Sequence, residues 1–180
     1  MSDRSLRSER LELRPLTACD LDLVHALGSD PRVMARLAGT RTEAESALWL
    51  ERELGHFRAY GYGRYVVTCE TRFVGLVGLS RTDFERGIVP GVEIAWRLAF
   101  EHWGYGYATE AARAAIEQGF SSFDLAEIIA VTSVGHARSR AVMERLEMIH
   151  SPSDSFDHPL LAADDPLRRH VVYRLRRPSP

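Results

Sequence analysis

Residues 94–98, Ile-Ala-Trp-Arg-Leu, have the composition of a strand. A few residues on, Trp103-Gly104-Tyr105-Gly106-Tyr107-Ala108-Thr109-Glu110-Ala111 opens an alanine-rich stretch with helical spacing. A strand turning through two glycines into a helix brings a strand end and a helix N-terminus to one edge of a layer, which argues for an α/β fold. The glycines let the backbone approach a ligand, and the helix's first N–H groups and dipole favour a phosphate. An anion site is the physical expectation, with a purely structural turn as the alternative. The dinucleotide fingerprint is not met: it needs a third glycine where Thr109 stands, and the preceding strands read as hairpins, not a βαβ unit.

Around this junction the chain reads as ordered elements. Leu11, Leu13 and Pro15 alternate with Glu12 and Arg14 as a first strand. Thr17 or Asp20 can cap a short helix through Leu21, Leu23, Val24 and Leu27, closed by Gly28 and the Asp30-Pro31 breaker. Thr42 with Glu45 forms a capping box for a longer helix towards Tyr60. Short β-rich runs follow at 65–69, 73–79 and 92–98, then a helix over 106–120, a strand at 128–131, a helix over 137–146 and a strand at 171–175. This order predicts an α/β domain with a mixed sheet.

Composition removes several chemistries. All 23 cationic residues are arginine, and the chain has neither lysine nor asparagine, which excludes a P-loop lysine, a Schiff-base lysine and N-glycosylation. A net charge of -2 with scattered arginines gives no nucleic-acid footprint. Cys19 and Cys69 lack metal spacing and read as reduced thiols. His25, His56 and His102 have no partner at metal spacing, so no metal is expected. The N-terminal MSDRSLRSER lacks an apolar signal stretch, and no run approaches the roughly 18 apolar residues of a membrane span. A soluble cytoplasmic protein with no membrane or nucleic-acid partner is expected.

The strand, the Gly-x-Gly-Tyr-Ala turn, the Ala-rich helix, the next strand and a second helix opening His136-Ala137-Arg138-Ser139 and running to Val142-Met143-Glu144-Arg145-Leu146 together resemble the GNAT acyltransferases. Within them the closest likeness is to the branch that acetylates ribosomal-protein N-termini. The likeness runs from Leu11-Glu12-Leu13-Arg14-Pro15 to His170-Val171-Val172-Tyr173-Arg174-Leu175 and is strongest over 92–146. It implies one N-acetyltransferase domain over 1–180, with a mixed, mostly antiparallel sheet of about six to seven strands flanked by about four helices. Acetyl-CoA is the implied donor. Its diphosphate would be held by backbone amides of Gly104, Tyr105, Gly106, Tyr107, Ala108 and Thr109, with the family's loop pattern falling on Trp103, Gly106 and Ala108. The cofactor arm would lie along Trp96, Arg97 and Leu98.

The second helix departs from the family's pattern. His136 stands where relatives often carry asparagine, and Met143 stands where many carry the tyrosine that protonates the departing thiolate. Ser139 matches a serine of the ribosomal-type branch and is the remaining candidate acid, with a helix cap as the alternative. Glu93 is the candidate base for an alkylammonium of pKa around 10, or else a carboxylate on a solvated face paired with arginine. Tyr60 or Tyr62 are candidates to touch the acceptor. The implied reaction is direct transfer of acetyl to a primary amine, either a protein N-terminus or a small molecule, without a covalent intermediate. An inactive CoA-binding regulatory or structural module is the rival reading, and a homodimer is open as an assembly.

Overall fold

The computed structural model describes residues 4–37, 39–82 and 91–178. Its elements, in chain order, are β1 (Leu6–Arg7), β2 (Leu11–Pro15), α1 (Leu21–Ser29), α2 (Pro31–Met34), α3 (Glu43–Tyr60), β3 (Arg64–Cys69), β4 (Arg72–Thr82), β5 (Gly91–Leu98), α4 (Tyr107–Ser122), β6 (Glu127–Ser133), α5 (Ala137–Arg145), β7 (Ile149–His150), β8 (Phe156–Asp157) and β9 (Arg169–Arg176). The strands form one mixed sheet in the order β1-β2-β3-β4-β5-β6-β9-β7, with β8 also paired to β9. Among the described residues every strand pairing is antiparallel except β5 with β6.

The expected α/β architecture is present, with nine strands where six to seven were expected and five helices where four were expected. The additional strands β1, β7 and β8 have two residues each, too short to show a period of two. The additional helix arises at Asp30-Pro31, expected as a breaker. Asp30 accepts a hydrogen bond from the Arg32 backbone N–H, and proline occupies the first helical turn, so the pair starts α2. Gly28 likewise does not end α1, which runs to Ser29; it lets α3 pack close, a Cβ there lying 3.3 Å from Ser46 Oγ. The Thr42–Glu45 capping box starts α3 as expected.

Alternation along β5 divides two cores. Ile94 and Leu98 face α4 and pack with Tyr65, Val67, Val77 and Leu79, while Ala111, Ala112 and Ala115 of α4 are fully buried and let that helix lie close to the sheet. On the other face Val66 and Leu76 pack against Leu16, Val24, Leu27, Val33 and Leu50 from the α1–α3 layer. Glu93, Ala95 and Arg97 therefore point toward α3, in register with Ser80, Gly78 and Leu76 of β4. No helix among the described residues is long and apolar enough to cross a membrane.

Candidate active site

β5 and β6 run parallel but, among the described residues, share a single register pair, Glu93 with Ile129. Beyond it they part, and β5 continues to Leu98 paired only with β4. A cleft of about 980 Å³ opens in this fork, lined by β5 from Glu93 to Leu98, the turn from His102 to Thr109, Val131 and Thr132 of β6, and the first turns of α5. Glu93, Trp96, Arg97, Leu98, Trp103, Gly104, Tyr105, Gly106, Tyr107, Ala108, Thr109, His136 and Ser139, scattered over 47 positions of sequence from 93 to 139, all line it.

The turn is built for main-chain contact. Gly104 and Gly106 have φ of 88° and 82°, the left-handed region that glycine enters without Cβ strain. Gly106 is the N-cap of α4, no side chain caps that end, and the first helical bond runs from the Glu110 N–H to the Gly106 carbonyl at 3.1 Å. The N–H groups of Tyr107, Ala108 and Thr109 thus have no partner within the helix. The Trp103 indole donates to the Leu98 carbonyl at 2.9 Å, tying the turn to the free end of β5, and the Arg138 guanidinium lies 5.0 Å from the same ring.

A clamp invisible to local sequence reading stiffens the turn. Glu110 accepts from Ser8 Oγ (2.7 Å), the Arg10 backbone N–H (2.8 Å) and Arg10 Nε (2.8 Å), and Arg10 Nη2 donates to the Tyr105 carbonyl (3.1 Å). The pair neutralises a carboxylate that would otherwise repel an anion at this helix end. Cys69 Sγ approaches the Tyr107 hydroxyl at 3.6 Å, nearer the turn than its sequence position suggested, without lining the cleft.

The α3-facing wall carries charge. Burial raises the Glu93 carboxyl above its ordinary value; the Arg64 guanidinium opposes this and Glu53 adds to it. Arg64 itself is held by the carbonyls of Gly78 (2.5 Å) and Ala95 (3.2 Å), by Ser80 Oγ (2.9 Å) and by Glu53 at 3.7 Å. Glu93 is therefore not on a solvated face. At the opposite wall His136 Nδ1 lies 3.1 Å from Thr132 Oγ1, and burial, aided by Arg36 and Arg138, depresses its pKa and keeps the imidazole neutral. Ser139 is 8% exposed and Met143 is packed into the core beneath it.

Two expectations shift. Tyr62 is a core residue against Phe123, and neither it nor Tyr60 lines the cleft; Trp49 of α3 does. Arg36, Arg138 and Arg145 also line it, and among the described residues none has a carboxylate at ion-pair distance. Among the same residues no group of three or more His, Cys, Asp or Glu could hold a metal ion.

The family model for the acetyltransferase (GNAT) domain matches residues 10–149. The chain belongs to the GNAT acetyltransferase family. It is an N-acetyltransferase by that membership, and it is 30% identical over 181 aligned residues to an FsC-acetyl coenzyme A-N(2)-transacetylase of Aspergillus fumigatus, covering 94% of this chain and 76% of that protein. An acetyltransferase of Agrobacterium tumefaciens has a similar structure, with a TM-score of 0.79, 26% identity and coverage of 98% and 96%. The ribosomal-protein α-N-acetyltransferase RimL, solved with coenzyme A, shares the GNAT fold at a TM-score of 0.76, 16% identity and coverage of 94% and 95%.

Proposed function

We propose that this GNAT enzyme moves an acetyl group from acetyl-CoA directly to a primary amine, with both substrates held in the β5/β6 fork. The observation that carries this reading is the juxtaposition, in one cleft, of the uncapped α4 N-terminus, the free edge of β5 and the half-buried Glu93. The residues present fit the donor. Free amides at Tyr107, Ala108 and Thr109 and arginines 36, 138 and 145 suit a diphosphate and a further phosphate, and the unpaired β5 edge at Trp96–Leu98 suits an amide-bearing arm. Acetyl-CoA supplies an acetyl group already activated as a thioester.

The chain's own residues do the rest. Glu93, with its raised pKa, takes the ammonium proton through a water; a base nearer neutrality serves better than an ordinary carboxylate. Main-chain N–H groups at the end of β5 orient the thioester carbonyl, and rate comes mainly from fixing amine and carbonyl together. Ser139 Oγ is the donor assigned to the departing sulfur, since buried Met143 has no proton to give. His136 takes the place of an asparagine by offering its second ring nitrogen to the cleft while Nδ1 is engaged by Thr132. Residues 1–180 act as one domain with its core at 92–146, in the cytoplasm.

The test is release of CoA thiol from acetyl-CoA in the presence of a panel of primary amines. Amine-dependent release supports the reading. Saturable acetyl-CoA binding with no release by any amine would leave a CoA-binding module instead.

A further inference from the structure

Arg97 is anomalous in the active-site wall. It projects from β5 toward α3 into the cleft, yet its Nε is buried without a hydrogen-bond partner, and among the described residues no carboxylate lies at ion-pair distance. Arg41 Nη1 is buried and unpartnered in the same way. Both guanidinia rest on one aromatic ring, Trp49, at 5.5 Å for Arg41 and 5.8 Å for Arg97. Arg64, the neighbouring cation of the cleft wall, already donates to two carbonyls and to Ser80 Oγ, with Glu53 at 3.7 Å.

Leaving a buried guanidinium nitrogen without a partner is costly, and a partner arriving from outside would relieve it. Burial and the proximity of Arg41 and Arg64 push Arg97 down to about 9, so it stays cationic at neutral pH. Glu53 and Glu93 are two carboxylates against the three guanidinia of Arg41, Arg64 and Arg97, and among the described residues neither lies at ion-pair distance from Arg97; Glu53 approaches Arg64, at 3.7 Å. A polycation would meet net repulsion here, whereas a planar carboxylate matches the guanidinium fork and would satisfy the stranded donors.

From this we infer that the acceptor is a primary amine that also carries a carboxylate, with the carboxylate seated against Arg97 over Trp49 and the amine directed along β5 toward Glu93. The inference rests on the acetyltransferase reading and narrows its acceptor. It adds Arg97 and Trp49 as specificity residues, the side chain of Arg97 acting on the acceptor while its main chain lies along the cofactor arm.

The experiment compares kcat/KM for glycine, β-alanine and 4-aminobutyrate with their carboxamides and with spermidine, at fixed acetyl-CoA. Amino acids should exceed their matched amides by about tenfold to a hundredfold, the range of a charge-assisted pair, and spermidine should be poorest. In Arg97→Gln the acid-to-amide ratio should collapse towards one. A C-terminally amidated Ser-Glu dipeptide tells a side-chain carboxylate of a peptide from that of a free amino acid; preference for either over its amide form supports the inference. If amides or spermidine are turned over as well as the acids, or the ratio survives Arg97→Gln, the inference is overturned while the acetyltransferase reading stands. If no amine is turned over, thermal stabilisation of the protein by the same three amino acids decides independently: saturable, amide-insensitive and lost in Arg97→Gln, or the inference fails.

Discussion

At the scale of single residues, Glu93 is caught between two demands. A carboxyl whose folded pKa lies above its unfolded value near 4.3 contributes stability that is fully present below the unfolded value. That contribution is lost as pH rises through the folded value, so at neutral pH the ionised group costs stability. Glu93→Gln removes the charge and keeps the shape. Its expected signature is a drop in kcat of about a hundredfold together with a higher melting temperature at pH 7 to 8. The difference in melting temperature should shrink as the pH is lowered towards 4. The acidic limb of the rate profile should move or vanish. A variant with unchanged kinetics would remove Glu93 from the reaction, and one destabilised at every pH would show its burial to be structural. The sequence could nominate Glu93 but not its surroundings, because Glu53 and Arg64 reach it from α3 and β3, and strand alternation does not say which face is covered.

Elements explain why the site opens where it does. The free end of β5 keeps its course because β4 lies unusually close: a Cβ on Gly75 would run into the Arg97 carbonyl oxygen and sit 2.7 Å from Leu98 Cα. Gly75→Ala should therefore push this edge out of line and destabilise the protein by about 1–3 kcal/mol. In urea unfolding it should lower the midpoint, and the KM for acetyl-CoA should rise even in the folded fraction. Gly106→Ala meets a different penalty. Space is open, the nearest atom being Arg10 Nη2 at 3.5 Å, but φ of 82° costs an L-residue about 1–2 kcal/mol. Either the turn pays that in stability or it relaxes and loses the anion site. Acetyl-CoA binding weakened severalfold, by calorimetry, with little change in kcat at saturation, is the expected result. An unchanged Kd would mean the amides of this turn do not hold the donor. This junction was readable from sequence because strand, glycines and helix are contiguous. The Arg10–Glu110 clamp was not, since its partners stand 100 residues apart and no local pattern couples them.

Across the whole molecule, one sheet is divided into two wings. β1 to β5 lie on one side, β6, β9, β7 and β8 on the other, and among the described residues the wings are joined in register by the Glu93–Ile129 pair alone. The long elements and their order were legible because hydrophobic periodicity is a local property. The two-residue strands and the choice of Trp49, rather than the candidates Tyr60 or Tyr62, as the aromatic residue in the cleft were not, since they depend on which face each wing presents. A ligand seated in the fork touches both wings through β5, α4, β6 and α5, so its binding adds to global stability through mass action. At a hundred times Kd this is about 2.7 kcal/mol, or roughly 5–10 °C in melting temperature for a domain of this size. The cleft arginines 36, 138 and 145 lack carboxylate partners among the described residues, so much of that gain should come from phosphates. Coenzyme A should raise the melting temperature strongly at low salt and less as ionic strength rises. Pantetheine, which has the arm but none of the phosphates, should do little at either. Equal stabilisation by pantetheine would move the binding energy from the arginines and the α4 amides to the β5 edge, and Gly106→Ala would then be expected to leave coenzyme A binding intact.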